Sequence, residues 1–443
     1  MLYKILKNIA WISVQIFFKK IRITGLENIS SARPMLIAAN HTNAFLDAIS
    51  LQVFAKQDIY TLARSDVFNT PFKKWLLKKI MMYPIYRIQE GADNLHKNAE
   101  TFEICNKLLI KNKSVMMFPE GVCIQQRRLC KLKKGLARIA FGSLEAANYN
   151  LDLQIVPVGI NYSTPSRFGG NLLINIGKPI SLRNYIERYQ NDKVKTMNQF
   201  TTDLEKEMER LIITISDESN NEFVAQIEKL FASELLKTEG DKRHLIEKAH
   251  DISRKVTFSI NETSKTEPEK LLELKHKTAA YFSDVKKLKL KDWQLKPESL
   301  NNASGMNLLI KILLLAFTFP LFLIGLVFNY LPFKTPYWIS KKIVKNIEFF
   351  SSLNLGFGMF IFMFYYLIQI TLLITIFKSI LILLVFLVIA PGCGLFALNY
   401  LRLFKEASGI ITAIKSKHQV IELAKRRREI VEELRLFLRE DRK

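Results

Sequence analysis

Three long apolar runs occupy the C-terminal third of the chain. Residues 308–331, 353–377 and 380–401 contain almost no charged side chains. Because about twenty helical residues cross the ~30 Å hydrocarbon core of a bilayer, runs of this length predict membrane helices. The pattern therefore predicts a membrane protein with a large part outside the bilayer.

The charges beside these runs constrain the topology. A lysine-rich loop follows the first run, Lys378 separates the second from the third, and a basic tail follows the third. If all three runs crossed, either the loop or the tail would lie on the non-cytoplasmic side, against the positive-inside tendency. We therefore expect a helical hairpin over 353–401 that turns at Lys378. The first run, interrupted by Pro320 and Gly325, is expected to be re-entrant or interfacial.

Apolar residues also recur at helical spacing at the start of the chain, with lysines near both ends of the run. This pattern predicts an interfacial amphipathic helix over residues 1–20. A secretory signal peptide is the alternative. It is disfavoured because no small-x-small cleavage site follows and Lys19 and Lys20 come too early.

Between residues 21 and 182 the apolar pattern alternates between strand and helix periods. Short β-rich runs include PMLIAAN and LQIVPVGINY. Helical patterns separate several of these runs, over residues 47–54, 70–79, 94–109 and 135–147. The alternation predicts an α/β fold with a central mixed, mostly parallel sheet flanked by helices. Ligands bind such sheets at the carboxyl ends of strands, where His41, Arg87 and Glu120 fall.

The composition changes after residue 182. Glutamate and lysine become dense, and glycine nearly disappears, over residues 183–302. Helical periodicity here predicts a charged helical subdomain rather than a second active site. Its histidines have no acidic partner at a strand end, so we interpret them as surface or packing residues: His244, His250 and His276.

The remaining segments complete the predicted domain organisation. Residues 303–405 are predicted to form the membrane segment. Residues 406–443 are predicted to form a basic amphipathic helix that can lie on anionic lipid. The formal net charge of the chain is +24. Its Lys and Arg residues crowd beside apolar runs and form no stripe interleaved with aromatics, which favours membrane lipids and phosphorylated substrates over nucleic acid as partners.

The cysteines give no sign of a structural metal or of a disulfide framework. The chain has four, Cys105, Cys123, Cys130 and Cys393, with no CxxC pair and no histidine at ligand spacing. Neither a metal site nor a disulfide is therefore predicted.

The strongest chemical signal is AANHTNAFLDA, residues 38–48. An apolar run delivers His41 into a turn, and Asp47 follows within reach of one helical turn. A histidine base can deprotonate a hydroxyl, and a carboxylate on its other ring nitrogen fixes the tautomer and stabilises the imidazolium. No side-chain nucleophile is needed if the substrate supplies the hydroxyl. A His and an Asp at this spacing are weak evidence alone, and their neighbours strengthen it.

Three neighbouring motifs add polar groups. Arg87, in PIYRIQEG, ends an apolar strand, where its guanidinium suits either a phosphate or a surface ion pair. Glu120, in FPEG, lies between a proline and a glycine that shape a tight exit, so its carboxylate is expected to point into a cleft and bind a polyol hydroxyl. Lys133 and Lys134 precede a helix start at Gly135, which suits a phosphate. An exposed basic turn is the alternative for Lys134, Arg127 and Arg128.

The blocks NHTNAFLD, PIYR, FPEG, KKG and IVPVGINY, in this order, resemble the glycerolipid acyltransferase family, which includes lysophosphatidate and glycerol-3-phosphate acyltransferases. The resemblance covers roughly residues 20–185. It implies transfer of a fatty acyl group from acyl-CoA or acyl-carrier protein, the donor substrate, to a glycerol hydroxyl without a cofactor. By motif it implies His41 as general base, Asp47 as its orienting acid, Arg87 and Lys133 as phosphate contacts, Asn43, Glu120 and Gly121 in the acceptor site, and Pro157 beside the cleft.

Two details indicate a branch of this family. Most members separate the His and Asp by four residues, whereas five lie between His41 and Asp47, and Val122, Cys123 and Ile124 replace a common Thr-Arg-Ser. The spacing and the PVGINY block are similar to fungal-type glycerol-3-phosphate acyltransferases. The expected acceptor is therefore glycerol 3-phosphate. The alternatives are lysophosphatidate or another lysophospholipid, and a non-catalytic lipid-binding membrane protein.

We expect direct transfer in a ternary complex, with His41 taking the acceptor proton and no acyl-enzyme. A covalent route through Cys123 or Cys130 is the alternative. The Lys, Ile, Asn and Phe bias suggests an AT-rich bacterial source, and hence an inner-membrane protein with its catalytic domain on the cytoplasmic side. The sequence leaves the donor type, the chain length and the oligomeric state open.

Overall fold

The computed structural model describes residues 2–29, 32–87, 96–235 and 245–440. The predictions for Met1, for His244 and for the last residues of the C-terminal helix lie outside these ranges. Contacts divide the chain into two compact units. The first contains Met1–Thr214 and Ser340–Met359, and the second contains Ile215–Ile339 and Phe360–Lys443.

An eight-stranded sheet forms the centre of the first unit. Its strands are β1 (Lys20–Thr24), β2 (Met35–Ala39), β3 (Ile59–Arg64), β4 (Met82–Ile85), β5 (Ser114–Met117), β6 (Gln154–Tyr162), β7 (Asn171–Ile176) and β8 (Ile180–Ser181). The order is β1-β7-β6-β2-β5-β3-β4, and β8 pairs with β6. Only the β6/β7 and β6/β8 pairs are antiparallel among the described strands. The prediction of a mixed, mostly parallel sheet is confirmed.

Helices cover both faces of this sheet, as predicted. The helices of this unit include α1 (Leu2–Phe17), α2 (Phe45–Gln52), α3 (Pro71–Lys79), α4 (Asn98–Ile110), α5 (Gly135–Ala146), α6 (Ile186–Asn191) and α7 (Lys193–Glu209). Alternate side chains of β2 point to opposite faces of the sheet. Leu36 packs with residues of α4, α5 and α7, whereas Ile37 packs with residues of α1 and α2. Burial on both sides explains why β2 is a continuous apolar run.

Helix α7 belongs to the first unit, which includes Met1–Thr214. Phe200, Leu204 and Met208 of α7 are buried in the core that α5 also enters. These residues recur every four positions, so they form an apolar stripe inside an otherwise charged helix. The many charged residues of α7 make this stripe difficult to recognise in the sequence.

The second unit contains five helices besides the apolar ones among its described residues. They are α8 (Asn221–Leu235), α9 (Leu245–Thr266), α10 (Pro268–Lys287), α11 (Pro297–Asn301) and, after the apolar helices α12 (Gly305–Ile343), α13 (Phe350–Phe377) and α14 (Ile380–Lys415), α15 (Lys417–Glu440). The apolar face of α15 packs into their shared core through Leu434 and Phe437. That face is therefore covered by protein.

Three described helices are long and apolar enough to cross a membrane: α12 (Gly305–Ile343), α13 (Phe350–Phe377) and α14 (Ile380–Lys415). Lys378, with φ +48°, lies between α13 and α14. The structure differs from the expected interruption of the first run, since α12 is continuous through Pro320 and Gly325. A Cβ on Gly325 would lie 2.2 Å from the Cys393 carbonyl oxygen. This glycine therefore permits a close helix contact rather than a break.

Candidate active site

The strand ends bring three of the predicted polar residues to one edge of the sheet. β2 leads to His41, β5 leads to Glu120 and β4 leads to Arg87. These strands are connected through parallel pairs, so their carboxyl ends point the same way. This is the edge at which open α/β sheets place their ligands.

The side chains of His41 and Asp47 form a hydrogen-bonded pair. His41 Nδ1 lies 3.0 Å from Asp47 Oδ2. The Asp47 side chain is completely buried, whereas 16% of the His41 side chain is exposed. A carboxylate can only accept, so Nδ1 carries the hydrogen and Nε2 is left to act as a base. This is the pair that the sequence proposed.

Three further donors fix the Asp47 carboxylate. Oδ2 accepts the main-chain N–H groups of Thr42 and Asn43 at 2.8 and 2.7 Å. Oδ1 accepts the hydroxyl of Tyr162 at 2.8 Å. Burial, together with the nearby charge of Asp47, raises the pKa of Tyr162 well above its usual value, so the phenol remains a neutral donor. The carboxylate is thus held in place independently of His41.

The catalytic loop, residues 41–47, contains a strained turn. Ala44 has φ +46° and ψ −126°, and Leu46 N donates to Asn43 O at 3.0 Å. These angles match the first central position of a type II′ turn, which normally holds glycine. The turn brings Asp47, in the first turn of α2, back to His41 across the five intervening residues.

An aromatic ring supports the imidazole. The rings of Phe118 and His41 stack with centroids 4.0 Å apart and planes 14° apart. Phe118 follows β5, the strand next to β2 in the sheet. The Phe118 ring and the Asp47 carboxylate together fix both the plane and the direction of the histidine.

Glu120 connects two main-chain segments. Its Oε1 accepts His41 N–H at 2.7 Å and its Oε2 accepts Cys130 N–H at 2.8 Å. The residue is 3% exposed. Burial raises the pKa of Glu120, although the hydrogen bonds from Cys130 and His41 act in the opposite direction. Both carboxylate oxygens of Glu120 therefore accept hydrogen bonds from the protein main chain. This favours a structural role for Glu120, in which it joins two loops, rather than direct contact with a polyol substrate.

Asn43 is also engaged within the protein. It is fully buried, and its Nδ2 donates to Pro165 O at 2.8 Å while Gln125 Nε2 donates to its Oδ1 at 3.4 Å. These contacts favour a role in the shape of the catalytic loop. Pro157, the other residue expected beside the cleft, lies in β6 opposite Ala38 of β2.

Two cationic residues converge on Gly121. Arg87 Nη1 lies 3.4 Å from Gly121 O, and a Cβ on Gly121 would lie 3.4 Å from Lys133 Cγ. Gly121 has φ +69°, a conformation that favours glycine. Lys133 is exposed and Arg87 is half-buried. Between Gly121 and Arg138 the sequence has further arginines and lysines and no acid. We call the surface formed by Arg87, Gly121 and Lys133 the basic rim, and its positive charge suits an anion.

The structure brings Cys123 next to the pair, which the sequence did not indicate. A ring nitrogen of His41, an oxygen of Asp47 and Cys123 Sγ lie within 4.8 Å of one another. Cys123 Sγ accepts Ala44 N–H at 3.2 Å. Burial and the charge of Asp47 raise the pKa of the Cys123 thiol, so it remains a thiol. A thiol is a poor metal ligand, and the Asp47 oxygens already accept hydrogen bonds, so this donor set does not suit a metal ion.

The sequence interpretation missed Tyr162 and Phe118. Tyr162 closes the apolar strand β6, and a tyrosine in such a run signals a buried hydroxyl that needs a partner. Phe118 had no comparable signal, because its role depends on which strand lies beside β2. Cys130 was noted only for its thiol, whereas its main-chain N–H holds Glu120.

The segment that contains this site is similar to known proteins. Residues 20–161 match the family model Acyltransferase. A chloroplast 1-acyl-sn-glycerol-3-phosphate acyltransferase of Arabidopsis thaliana is 32% identical over 132 residues, which are 29% of this chain and 35% of the plant protein. Glycerol-3-phosphate O-acyltransferase 1 of Saccharomyces cerevisiae is 26% identical over 129 residues, 28% of this chain and 17% of the yeast protein.

The chain thus spans about a third of the plant relative and less of the yeast one. Among solved structures, the 1-acyl-sn-glycerophosphate acyltransferase PlsC of Thermotoga maritima aligns with a TM-score of 0.33 and 15% identity, over 46% of this chain and 78% of that one. The matched segment, 20–161, contains His41, Asp47, Arg87, Glu120 and Lys133. Residues 20–161 of this protein are therefore similar to the Acyltransferase family model and, in part, to the plant and yeast acyltransferases named above.

Proposed function

We propose that this protein transfers a fatty acyl group from an acyl thioester, acyl-CoA or acyl-carrier protein, to a hydroxyl of glycerol 3-phosphate. The observation that carries the proposal is the His41–Asp47 pair, in which a buried, fully hydrogen-bonded carboxylate directs an imidazole that is partly open to solvent. The family of residues 20–161 supports the reaction class.

In the proposed reaction His41 Nε2 removes the proton of the acceptor hydroxyl as its oxygen attacks the thioester carbonyl. The C–O bond forms, the C–S bond breaks, and the thiolate leaves with the proton returned by the imidazolium. Asp47 stabilises that imidazolium through Nδ1. Stacking on Phe118 and the hydrogen bond to Asp47 hold the imidazole in a fixed orientation for removing the acceptor proton, which lowers the entropic cost of reaching the transition state.

The basic rim gives the acceptor a place for its phosphate. Arg87 and Lys133 approach the same residue, Gly121, from different elements. A guanidinium and an ammonium on either side of one glycine are groups that bind the phosphate of a small polyol. Asn43 and Glu120, whose polar groups are engaged by the protein, are proposed to hold the catalytic loop.

1-Acylglycerol 3-phosphate is the second candidate acceptor. The observation that favours it is the 32% identity to the Arabidopsis protein, which is higher than the 26% to the yeast glycerol-3-phosphate enzyme. Both acceptors carry the same phosphate, so the rim does not separate them. The five-residue spacing between His41 and Asp47 supports glycerol 3-phosphate.

Three described helices are long and apolar enough to cross a membrane, which supports a membrane location. We propose that its acyltransferase domain meets lipid substrates at the membrane surface. The two relatives found by sequence similarity come from a plant and a yeast, so they lend no support to the expectation of a bacterial inner membrane.

The test is an activity panel on the purified full-length protein in lipid nanodiscs. Glycerol 3-phosphate, lysophosphatidate and a lysophospholipid without a terminal phosphate are each paired with acyl-CoA and acyl-carrier protein. We expect turnover with glycerol 3-phosphate, and His41→Ala should lower kcat by about 10² to 10⁴ while the protein stays folded. Turnover by His41→Ala close to that of the unchanged protein would refute the mechanism.

Replacing the rim cations separates binding from chemistry. Arg87→Ala and Lys133→Ala should raise KM for the phosphate-bearing acceptor and leave KM for the donor unchanged. Lys193→Ala is a matched control, because Lys193 is an exposed lysine that pairs with Glu145. Equal effects of the rim and control variants on acceptor KM would count against the phosphate assignment.

A further inference from the structure

The start of helix α13 contacts the catalytic loop. Ser352, the third residue of α13, is 7% exposed. Its Oγ donates to Asn43 O at 2.6 Å and accepts from Leu46 N at 2.9 Å. Asn43 O and Leu46 N are also the two groups that close the turn around Ala44. One hydroxyl therefore bridges both ends of the turn that returns Asp47 to His41.

Neighbouring residues of α13 strengthen this contact. Ser351 Oγ donates to Pro165 O at 2.7 Å, the carbonyl that also accepts Asn43 Nδ2. Leu355, one helical turn later, is buried in the core that contains residues of α2. Just before α13, the Phe349 ring lies 5.7 Å from the Arg64 guanidinium at the end of β3. The contact thus combines hydrogen bonds, apolar packing and a cation–π interaction.

The turn is a feature that needs outside support. Ala44 has a positive φ that costs a non-glycine residue on the order of 1–3 kcal/mol. Such conformations persist when the surroundings fix them. Main-chain groups buried near Ser352 would also lose a partner if its hydroxyl were removed. A relaxed turn would displace Asp47, whose Oδ2 accepts hydrogen bonds from the same loop.

We propose that Ser352 is a positioning residue for acyl transfer, so that α13 is part of the active site and not only a candidate membrane anchor. The proposal rests on the proposed function. Ser352 acts through the catalytic loop and does not touch substrate. The helix that contains Ser352 continues without a break to Phe377 and is apolar enough to cross a bilayer. The position of Asp47 relative to His41 thus depends on a helix that is also a candidate membrane span.

Kinetics of the full-length protein in nanodiscs test the proposal. Ser352→Ala removes the hydroxyl, and Ser352→Cys keeps most of the side-chain volume with weaker hydrogen bonding. We expect kcat to fall about 10- to 100-fold in both, since small misplacements of a catalytic group cost this much. KM for donor and acceptor should change less than twofold. If Ser352→Ala does not fold while Ser352→Cys has full kcat, the role is packing and the proposal is overturned.

The matched control is Ser340→Ala. Ser340 is fully buried in the same unit, and its hydroxyl has no hydrogen-bond partner among the described residues. This variant should keep kcat. A loss in Ser340→Ala equal to that in Ser352→Ala would mean that any buried serine of this segment has the same effect, which overturns the proposal.

Hydrogen exchange provides a readout that does not depend on activity. In Ser352→Ala and Ser352→Cys the amides of Asn43 to Asp47 should exchange faster than in the unchanged protein, with no change in β7. If the unchanged protein transfers no acyl group, the proposed function fails, and exchange still decides whether Ser352 holds the loop. Unchanged exchange in both variants would overturn the proposal.

Discussion

Tyr162 donates its hydroxyl to Asp47 Oδ1 at 2.8 Å across 115 positions of sequence. The two residues reach each other because β6 lies beside β2 in the sheet and the chain turns back after His41. Asp47 Oδ2 thus accepts hydrogen bonds from the catalytic loop, and Oδ1 accepts one from a residue of the sheet. The orientation of the base is set by the tertiary fold as well as by the motif.

Tyr162→Phe should weaken this arrangement. One buried carboxylate oxygen loses its donor, so the unfolding free energy should fall by about 1–3 kcal/mol. We expect kcat to fall about tenfold, corresponding to ~1.4 kcal/mol of barrier. Tyr149→Phe is the control, since Tyr149 packs on the other face of the sheet and its hydroxyl makes no hydrogen bond within the described ranges. Thermal melting and steady-state kinetics measure both, and equal effects in the two variants would contradict the assignment.

Asp47→Asn should separate charge from shape. The asparagine oxygen can still accept from the loop, and its amide can donate to Tyr162, whose hydroxyl can rotate to accept. The fold should therefore survive, while kcat should fall by roughly two to four orders of magnitude because the imidazolium loses its counter-charge. His41→Ala combined with Asp47→Asn should be no slower than the slower single variant. An additive loss would show that the two residues act separately.

Ala44→Gly should stabilise the protein. Glycine adopts a positive φ at little steric cost, so the unfolding free energy should rise by about 0.5–1 kcal/mol. Ala48→Gly is the matched comparison, because Ala48 lies within α2 and glycine there should cost about 1 kcal/mol. Melting curves of the two variants should therefore shift in opposite directions. A lower melting temperature for Ala44→Gly would show that the turn is not strained.

Cys123→Ala should keep most of the acyltransferase activity. Although Cys123 lies beside His41 and Asp47, its raised pKa leaves it as a thiol, and direct transfer needs no nucleophile from the protein. Mass spectrometry after incubation with the donor alone should show no acyl adduct. An adduct on Cys123, together with an inactive alanine variant, would favour the covalent route instead.

Glu120 should give stability a pH dependence. Because burial raises the pKa of Glu120 above the ordinary 4.5, the native state binds more protons than the unfolded chain as pH rises past 4.5. Its contribution therefore declines from pH 4.5 up to the raised pKa. Glu120→Gln lacks this titration but places an amide N–H against a main-chain N–H, at a cost of about 1–3 kcal/mol. The difference in unfolding free energy between the unchanged protein and Glu120→Gln should therefore become smaller as the pH rises. A difference in melting temperature that grows with rising pH would contradict the raised pKa of Glu120.

The sequence alone identified the α/β fold, because apolar periodicity reports burial one element at a time. β2 reads as a continuous apolar run since both of its faces are covered, and His41 follows it directly. Local spacing likewise placed Asp47 within reach of His41. The packing of α7 was harder to predict, because its buried stripe lies within a highly charged segment.

Only the tertiary structure decided what surrounds the pair. Tyr162, Phe118 and Ser352 come from three distant parts of the chain, and no local pattern reports which strand or helix will lie beside β2 and the catalytic loop. The same holds for Glu120, whose motif suggested an open cleft but whose oxygens are engaged by main-chain N–H groups. Sequence patterns record how each element is buried, whereas the partners of a buried polar group depend on the packing of elements far apart in the chain.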